Sequence, residues 1–253
     1  MPDQAYFWSQ AAGAYEENFI DPFRSDVKNP LLRAIWRAAK PGTRVAADLG
    51  CGIGPLLPLL AKQFQRVYAV DFADKMLERA RERTKDFSNV EFLQRRLSDL
   101  ADLAGRVDVA IAVNSLVTTD IPELERSLRQ VHAILRPNGR FLGIVPAMDA
   151  VHYYSMLLVD RALSQGKTME AARKNAAHFN EHSFYDFAFS EYRYLGLEQH
   201  FWQPFEVRYR LRRAGFRRIR QTRVFLSWEQ IACAEDLKDR PPPWDWFFEA
   251  RID

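Results

Sequence analysis

The most constraining stretch of this chain runs from Val45 to Gly54, Val-Ala-Ala-Asp-Leu-Gly-Cys-Gly-Ile-Gly. Five residues that are apolar except for Asp48 have the pattern of a strand buried on both faces. Gly50, Cys51, Gly52, Ile53 and Gly54 make a G-x-G-x-G turn, and Pro55 opens a helical pattern through Leu56, Leu57, Leu59 and Leu60. Glycine reaches backbone angles closed to other residues and lets a ligand come close to the main chain. Proline at a first helical position gives up an N–H that has no helical partner. The stretch reads as strand, ligand-hugging turn and helix.

A glycine turn alone also fits a nucleotide site or a merely tight connection. Arg66 to Asp71 then supplies a second strand ending in an acid, 17 residues after Gly54. A carboxylate there can accept two hydrogen bonds from a ribose diol. Two features depart from a dinucleotide fingerprint: the spacing is G-x-G-x-G rather than G-x-G-x-x-G, and Asp48 stands two residues before the first glycine. That carboxylate suits an ammonium-bearing ligand and would repel a pyrophosphate. Together these residues resemble the class I S-adenosylmethionine-dependent methyltransferase family. A nicotinamide-binding or unliganded Rossmann-like domain is the competing reading. The resemblance covers about residues 40–147 and includes the turn Leu135-Arg-Pro-Asn-Gly-Arg-Phe141 before a fifth strand.

The resemblance implies an α/β fold with an open seven-stranded, mostly parallel sheet, helices on both faces and a helical insertion after strand 5. Strands are expected at 45–49, 66–71, 90–93, 107–113, 140–145 and 217–228. The final segment from Trp244 to Ile252 is expected as an antiparallel strand inserted between the fifth and sixth. Residues 1–40 form an N-terminal helical cap, 41–146 and 203–253 the core, and 147–202 a helical substrate-binding insertion or lid.

The implied cofactor is S-adenosylmethionine, with S-adenosylhomocysteine as product. The resemblance implies contacts from Tyr15 in the N-terminal helix, from Asp48, Gly50, Cys51, Gly52 and Gly54 around the turn, and from Asp71, Phe72 and Met76 after the second strand. It adds Ser98, Asp99 and Leu100, with Asp99 accepting from the adenine amino group. A Ser-Asp pair is also a good helix cap, and the two roles can coexist. Asn114 and Ser115 follow a central strand, at the carboxyl edge where open α/β sheets hold their ligands.

Residues 147–202 lie outside the minimal fold and hold 11 aromatics and four of the five histidines. Aromatic walls with a few polar groups are what small-molecule pockets use, although such rings also pack a segment's own core. His152, His178 and His182 are candidate bases for an acceptor that enters protonated. His178 and His182 stand four apart, but two histidines without a fixed third ligand do not make a metal site, and none is expected. Arginines crowd residues 208–223. They could track a phosphate backbone, but they also fit a solvated helix face and a charge-protected edge strand.

The formal net charge of +3 demands no nucleic-acid partner, and no apolar run is long enough to span a membrane. Only Cys51 and Cys233 are present, and the first residues lack the basic and apolar regions of a signal peptide. A cytoplasmic monomer or homodimer is therefore expected. The function expected is direct methyl transfer to a small organic acceptor. The rivals are an RNA or protein methyltransferase docking through residues 208–223, and a non-catalytic partner protein that binds the cofactor.

Overall fold

The computed structural model describes residues 4–14, 21–39, 44–177, 183–194, 197–231 and 235–252. Helix α1 (Gln4–Ala11) precedes α2 (Pro30–Ala38), and between them no helix is assigned over 21–29. Pro30 opens α2, and the Asn29 side chain accepts from the Leu31 amide at 2.9 Å. Leu31, Ala34, Ile35 and Ala38 are buried at helical spacing, so one stripe of α2 faces the sheet.

The main sheet then alternates with helices: β1 (Val45–Leu49), α3 (Leu57–Gln63), β2 (Arg66–Asp71), α4 (Asp74–Arg83), β3 (Val90–Gln94), β4 (Val107–Val113), α5 (Ile121–Ile134) and β5 (Leu135–Pro146). An insertion follows with α6 (Met148–Ser164), α7 (Met169–Ala177), β6 (Ser183–Asp186), β7 (Glu191–Tyr194) and β8 (Leu197–His200). The chain closes with α8 (Pro204–Arg213), β9 (Arg217–Phe225) and β10 (Trp244–Arg251). The sheet order is β3-β2-β1-β4-β5-β10-β9; β1 to β5 pair in parallel and β10 is antiparallel to both neighbours. This is the seven-stranded architecture expected, with Trp244 to Arg251 inserted where the sequence placed it.

Two buried clusters cover the two faces. One joins Leu49, Val70 and Phe141 to Leu124, Leu128 and Val131 of α5; the other joins Ala46, Val67 and Ile111 to Leu31 and Ile35 of α2, Leu57 and Leu60 of α3 and Leu77 of α4. Strand order reverses beside β1, which pairs with β2 on one side and β4 on the other. A crevice opens outside the carboxyl ends of strands at such a point.

Three local features differ from the sequence expectation. The Leu135 side chain continues the α5 periodicity, yet the strand already begins there: Leu135 pairs with Val107, and a register shift follows before Arg140 pairs with Val109. Asn138 at φ +64° makes the irregular step that the helix could not absorb. The strand of 217–228 stops at Phe225, and Trp228–Gln230 forms a short 3-10 turn capped by Ser227. The insertion is helical in its first half only. In its second half, β6, β7 and β8 form a separate antiparallel sheet.

The insertion is not a detachable appendage. Trp202, at its far end, is among the largest fully buried side chains and belongs to the cluster under α5. Its indole N–H donates to the Leu116 carbonyl at 2.8 Å, and its backbone N–H donates to Pro146 at 2.8 Å. The boundary drawn at 202/203 therefore cuts through the core.

Candidate active site

The turn after β1 is tied down from beneath. The amides of Gly50 and Cys51 both donate to the Val70 carbonyl, at 2.7 and 2.9 Å, which locks the turn to the end of β2. Asp71 completes the tie: one carboxylate oxygen accepts from the Gly52 amide and the other from the Ala73 amide, each at 2.9 Å. Burial pushes Asp71 above the ordinary carboxylate range, against the opposing pull of the Ala73, Gly52 and Phe72 amides.

The three glycines of the turn differ in what surrounds them. A Cβ on Gly50 would stand 2.2 Å from the Ser115 Cβ, because the β4 loop passes directly over the turn. Ser115 Oγ there donates to the Leu49 carbonyl at 2.6 Å. A Cβ on Gly54 would meet Leu57 Cδ1 at 2.8 Å and Ala80 Cβ at 3.1 Å, so this glycine serves helix packing. Gly52, at φ +54°, has nothing within 4 Å of an added Cβ. Its open side faces a cavity.

That cavity holds about 910 Å³ of empty space, mouth included, at the carboxyl edge of the sheet. Of the residues singled out from sequence, Gly50, Gly52, Asp71, Phe72, Met76, Asn114 and Ser115 line it. Asp48, Cys51 and Gly54 are buried under the turn instead. Burial, and then the charge of Asp71, push Asp48 up to about 7. Burial, with Asp48 and Asp71 nearby, also raises the Cys51 thiol well above its ordinary value. The floor of the site is thus an acid-rich, poorly solvated layer. A ligand cation above it would be attracted and would favour ionisation of these acids.

Residues 98–100 fall to the side. Leu100 is fully buried in the core, and Asp99 is exposed. Ser98 donates to Glu123 Oε1 at 2.6 Å, and it is Glu123, at the start of α5, that lines the cavity. Against the cost of burial, the Ser98 hydroxyl and Arg126 hold Glu123 below the ordinary carboxylate range. Arg96 lies over the Phe72 ring at 5.9 Å, and both line the same end.

His152 is exposed on α6 and stacks on Phe187, 4.6 Å between ring centres; it is not part of the lining. Tyr15, His178 and His182 lie outside the described residues, so neither the tyrosine contact nor those two bases is placed. Among the described residues, no group of three His, Cys, Asp or Glu is arranged to hold a metal ion. No helix among them is long and apolar enough to cross a membrane.

Sequence reasoning missed Gln4 and Trp8, which bring α1 to the cavity, and it missed Asp245. Asp245 is an acid between two tryptophans at the start of a strand whose next residues, Phe247 and Phe248, are apolar, and that placement was the available signal. It is buried, and burial pushes it up to about 7, against hydrogen bonds from the Asn114 side chain and the Ala147 amide.

The arginines of 208–223 are partly engaged within the fold. Arg210 pairs with Glu206 and Glu125, Arg213 with Glu125, and Arg223 lies 3.9 Å over the Trp244 ring. Others project from β9, the edge strand of the sheet, where charge blocks edge-to-edge pairing.

With this geometry, residues 46–139 match the sequence pattern described as a methyltransferase domain. Residues 46–139 thus carry a methyltransferase domain, built on a Rossmann-like fold. The match spans β1 to the turn inside β5, the same segment that builds the cavity floor. A Streptomyces fradiae protein described as an uncharacterized 37.1 kDa protein in transposon TN4556 is 32% identical over 180 residues, 68% of this chain and 48% of that protein. A 2-phytyl-1,4-naphtoquinone methyltransferase from Trichormus variabilis is 33% identical over 112 residues, 42% of this chain and 47% of that protein. The chain thus spans about half the length of the curated relatives it matches. Among solved structures, the Burkholderia thailandensis 1,6-didemethyltoxoflavin-N1-methyltransferase, with 1,6-didemethyltoxoflavin and S-adenosylhomocysteine bound, shares the fold. Its TM-score is 0.57 at 18% identity, covering 99% of this chain and 89% of that one.

Proposed function

We propose that the protein binds S-adenosylmethionine and transfers its methyl group directly to a small organic acceptor. The observation that carries this reading is Gly52, whose missing side chain leaves open space over the turn beside Asp71. A Cβ would fill that cradle, and the residues around it fit the cofactor. Asp71 keeps acceptor capacity for a ribose diol, since its two oxygens offer about four lone-pair sites and the amides that bear on them are those of Gly52, Ala73 and Phe72. Phe72, Met76 and Leu97 offer an apolar slot for a flat ring, and Glu123 is the lining acid at that end, the role the resemblance gave to Asp99. The buried acids below suit a cation and disfavour a pyrophosphate.

The cofactor, when bound, supplies an electrophilic methyl group on a sulfonium. The chain's own residues then have to orient the acceptor and exclude water. Trp8 and Gln4 of α1 wall one side of the cavity, and Asn114 to Thr118 wall another. A compact acceptor suits a cavity enclosed in this way. The naming of two relatives for a naphthoquinone and a toxoflavin precursor supports the same class.

Titration calorimetry tests the reading. S-adenosylhomocysteine should bind the wild-type protein and NADH should give no heat. A chain that binds NADH and ignores S-adenosylhomocysteine would overturn it.

A further inference from the structure

The end of the sheet away from the cavity carries an unbalanced set of charges. Glu249, near the close of β10, has 5% of its surface exposed, and arginines from three elements converge on it. Arg140 of β5 reaches Oε1 at 3.1 Å, and Arg251 of β10 reaches the same oxygen at 3.3 Å. Arg37 of α2 stands 3.8 Å from Oε2. The sheet register seats Arg140 directly opposite Arg251. Like charges at opposed positions of a ladder weaken it. Glu249 itself stands opposite Arg220 of β9, so a fourth arginine flanks the set.

One carboxylate cannot neutralise this group. α2, β5 and β9 contain no acid, and the other acid of β10, Asp245, lies at the far end of the strand beside Pro146. Asp108 of the neighbouring β4 is taken by Arg136 and by the amides of Arg44 and Val45. Among the described residues, the three arginines against Glu249 therefore leave two positive charges unmatched. Burial, and then the charge of Arg251, push the Arg140 guanidinium below its ordinary value in spite of Glu249. Each guanidinium also has five N–H donors, of which Arg140 and Arg251 each direct one at Glu249. Arg37 and Arg251 are partly exposed, so solvent reaches the remaining donors.

We propose that Arg37, Arg140 and Arg251 form a binding site for a phosphate dianion, either free or carried as a monoester on a small molecule. Guanidinium forks match phosphate oxygens in pairs, and two negative charges complement the two left unmatched. Glu249 is the fixed point that gathers the three side chains. The site is separate from the cofactor cavity. Arg140 and Pro146 are the two ends of the β5 stretch that pairs with β10, and its rise puts about 20 Å between them. Nothing in the site depends on the methyltransferase reading.

Phosphorus NMR line broadening at pH 8 and constant chloride tests it. Inorganic phosphate, phenyl phosphate and the monoanionic diester dimethyl phosphate would be titrated into wild-type protein, Arg37→Gln, Arg140→Gln and, as a control on α5, Arg129→Gln. Urea midpoints would confirm the folded state. Wild-type protein should bind inorganic phosphate with a Kd of about 1 mM or tighter. Arg140→Gln should weaken this about tenfold, the scale of a hydrogen bond to a charged group. Arg37→Gln leaves Glu249 its two closer partners and so spares folding, and it should weaken binding several-fold. Arg129→Gln should leave it unchanged. Phenyl phosphate binding at least as well as the free ion would support a phosphorylated small molecule, and binding of the free ion alone would support inorganic phosphate. No binding at about 10 mM phosphate would overturn the proposal. So would wild-type affinity in both Arg37→Gln and Arg140→Gln, or equal weakening by Arg129→Gln. Dimethyl phosphate binding as tightly as phosphate would overturn the dianion and point to a phosphodiester backbone instead.

Discussion

Replacing Gly52 by alanine should leave the protein folded and remove much of its affinity for S-adenosylhomocysteine. The added Cβ meets no protein atom within 4 Å, so folding bears only the cost of a left-handed residue at φ +54°, about 1–2 kcal/mol. The same change at Gly50 is different. At φ +73° it carries that backbone cost and also drives a Cβ to 2.2 Å from the Ser115 Cβ and 2.9 Å from its Oγ. Overpacking adds about 1–3 kcal/mol, and loss of the Ser115–Leu49 hydrogen bond adds about 1 kcal/mol. The sum for Gly50→Ala is about 3–6 kcal/mol. In a chain of this size each kcal/mol lowers Tm by about 2–4 °C, so the two variants should melt well apart. Calorimetric titration should show the reverse order of interest: Gly52→Ala, still folded, loses about tenfold or more in affinity, and Gly52→Val loses detectable binding. Gly52→Val binding at wild-type affinity would refute the claim that the ligand lies against this turn. Equal melting of Gly50→Ala and Gly52→Ala would refute the packing argument.

Asp71→Ala should weaken S-adenosylhomocysteine binding by about 1–3 kcal/mol, the cost of unpaired buried groups, and unchanged calorimetric affinity in a folded variant would remove Asp71 from the site. Asp48 has a folded-state value of about 7, above that of an unfolded aspartate, so the folded state holds a proton that the unfolded state releases. Its contribution to stability is therefore present in acid and lost as pH rises from about 4 to about 7, by roughly 1 kcal/mol per unit. Asp48→Asn should gain on wild type across that window in urea midpoints and level off above it; a constant difference would show that Asp48 is not held protonated. Trp202→Ala should cost about 3–5 kcal/mol in denaturant unfolding despite lying in the insertion, and a loss below about 1 kcal/mol would separate the insertion from the core. Amide exchange in α7 and β7 should slow when S-adenosylhomocysteine and a methylated acceptor bind together, and unchanged protection would argue against closure of this segment.

The parts legible in the sequence are those in which local chemistry has one solution. Apolar runs such as 107–113, a glycine turn, and Pro30 after an N-capping Asn29 each specify a backbone path with little reference to distant residues. The order of these elements then selects the sheet. What the sequence left illegible depends on contacts made across the fold. Asp99 and Glu123 are equally plausible acids until α5 brings Glu123 into the cavity wall and Asp99 is left exposed. His152 reads as a base in a ring-rich segment, but the helix turns it toward Phe187 and the surface. Asp245 lies 131 positions from Asn114 in sequence, and only the antiparallel return of β10 beside β5 brings the two together. The small sheet of β6 to β8 escaped notice because its strands are four residues each, too short to separate alternation from chance.

The loop after β4 is where these separate parts meet, and this determines how an insertion can influence the cavity. Ser115 holds the glycine turn through the Leu49 carbonyl. Leu116 and Val117 accept from Trp202 Nε1 at 2.8 Å and from the His200 amide at 2.7 Å. Asn114 meets Asp245, which also binds the residue where the insertion departs. Both ends of the insertion are thus fastened: Met148 donates to the Trp202 carbonyl at 3.1 Å, and Ala147 and Trp202 form a parallel bridge. Any closing motion has to arise between these anchors, in α6, α7 and the strands beyond, rather than by rotation of the whole segment about its boundaries. His200 is buried against Glu206 at 3.0 Å, and Glu206 is joined in turn to Arg210 of α8. The last strand of the small sheet is therefore anchored on the core side as well, and it shares its anchor loop with the cofactor turn. A shift of β8 cannot occur without disturbing Val117, a lining residue. The insertion and the glycine turn are consequently coupled through one short segment, residues 114–118, by hydrogen bonds that each connect it to a different part of the fold.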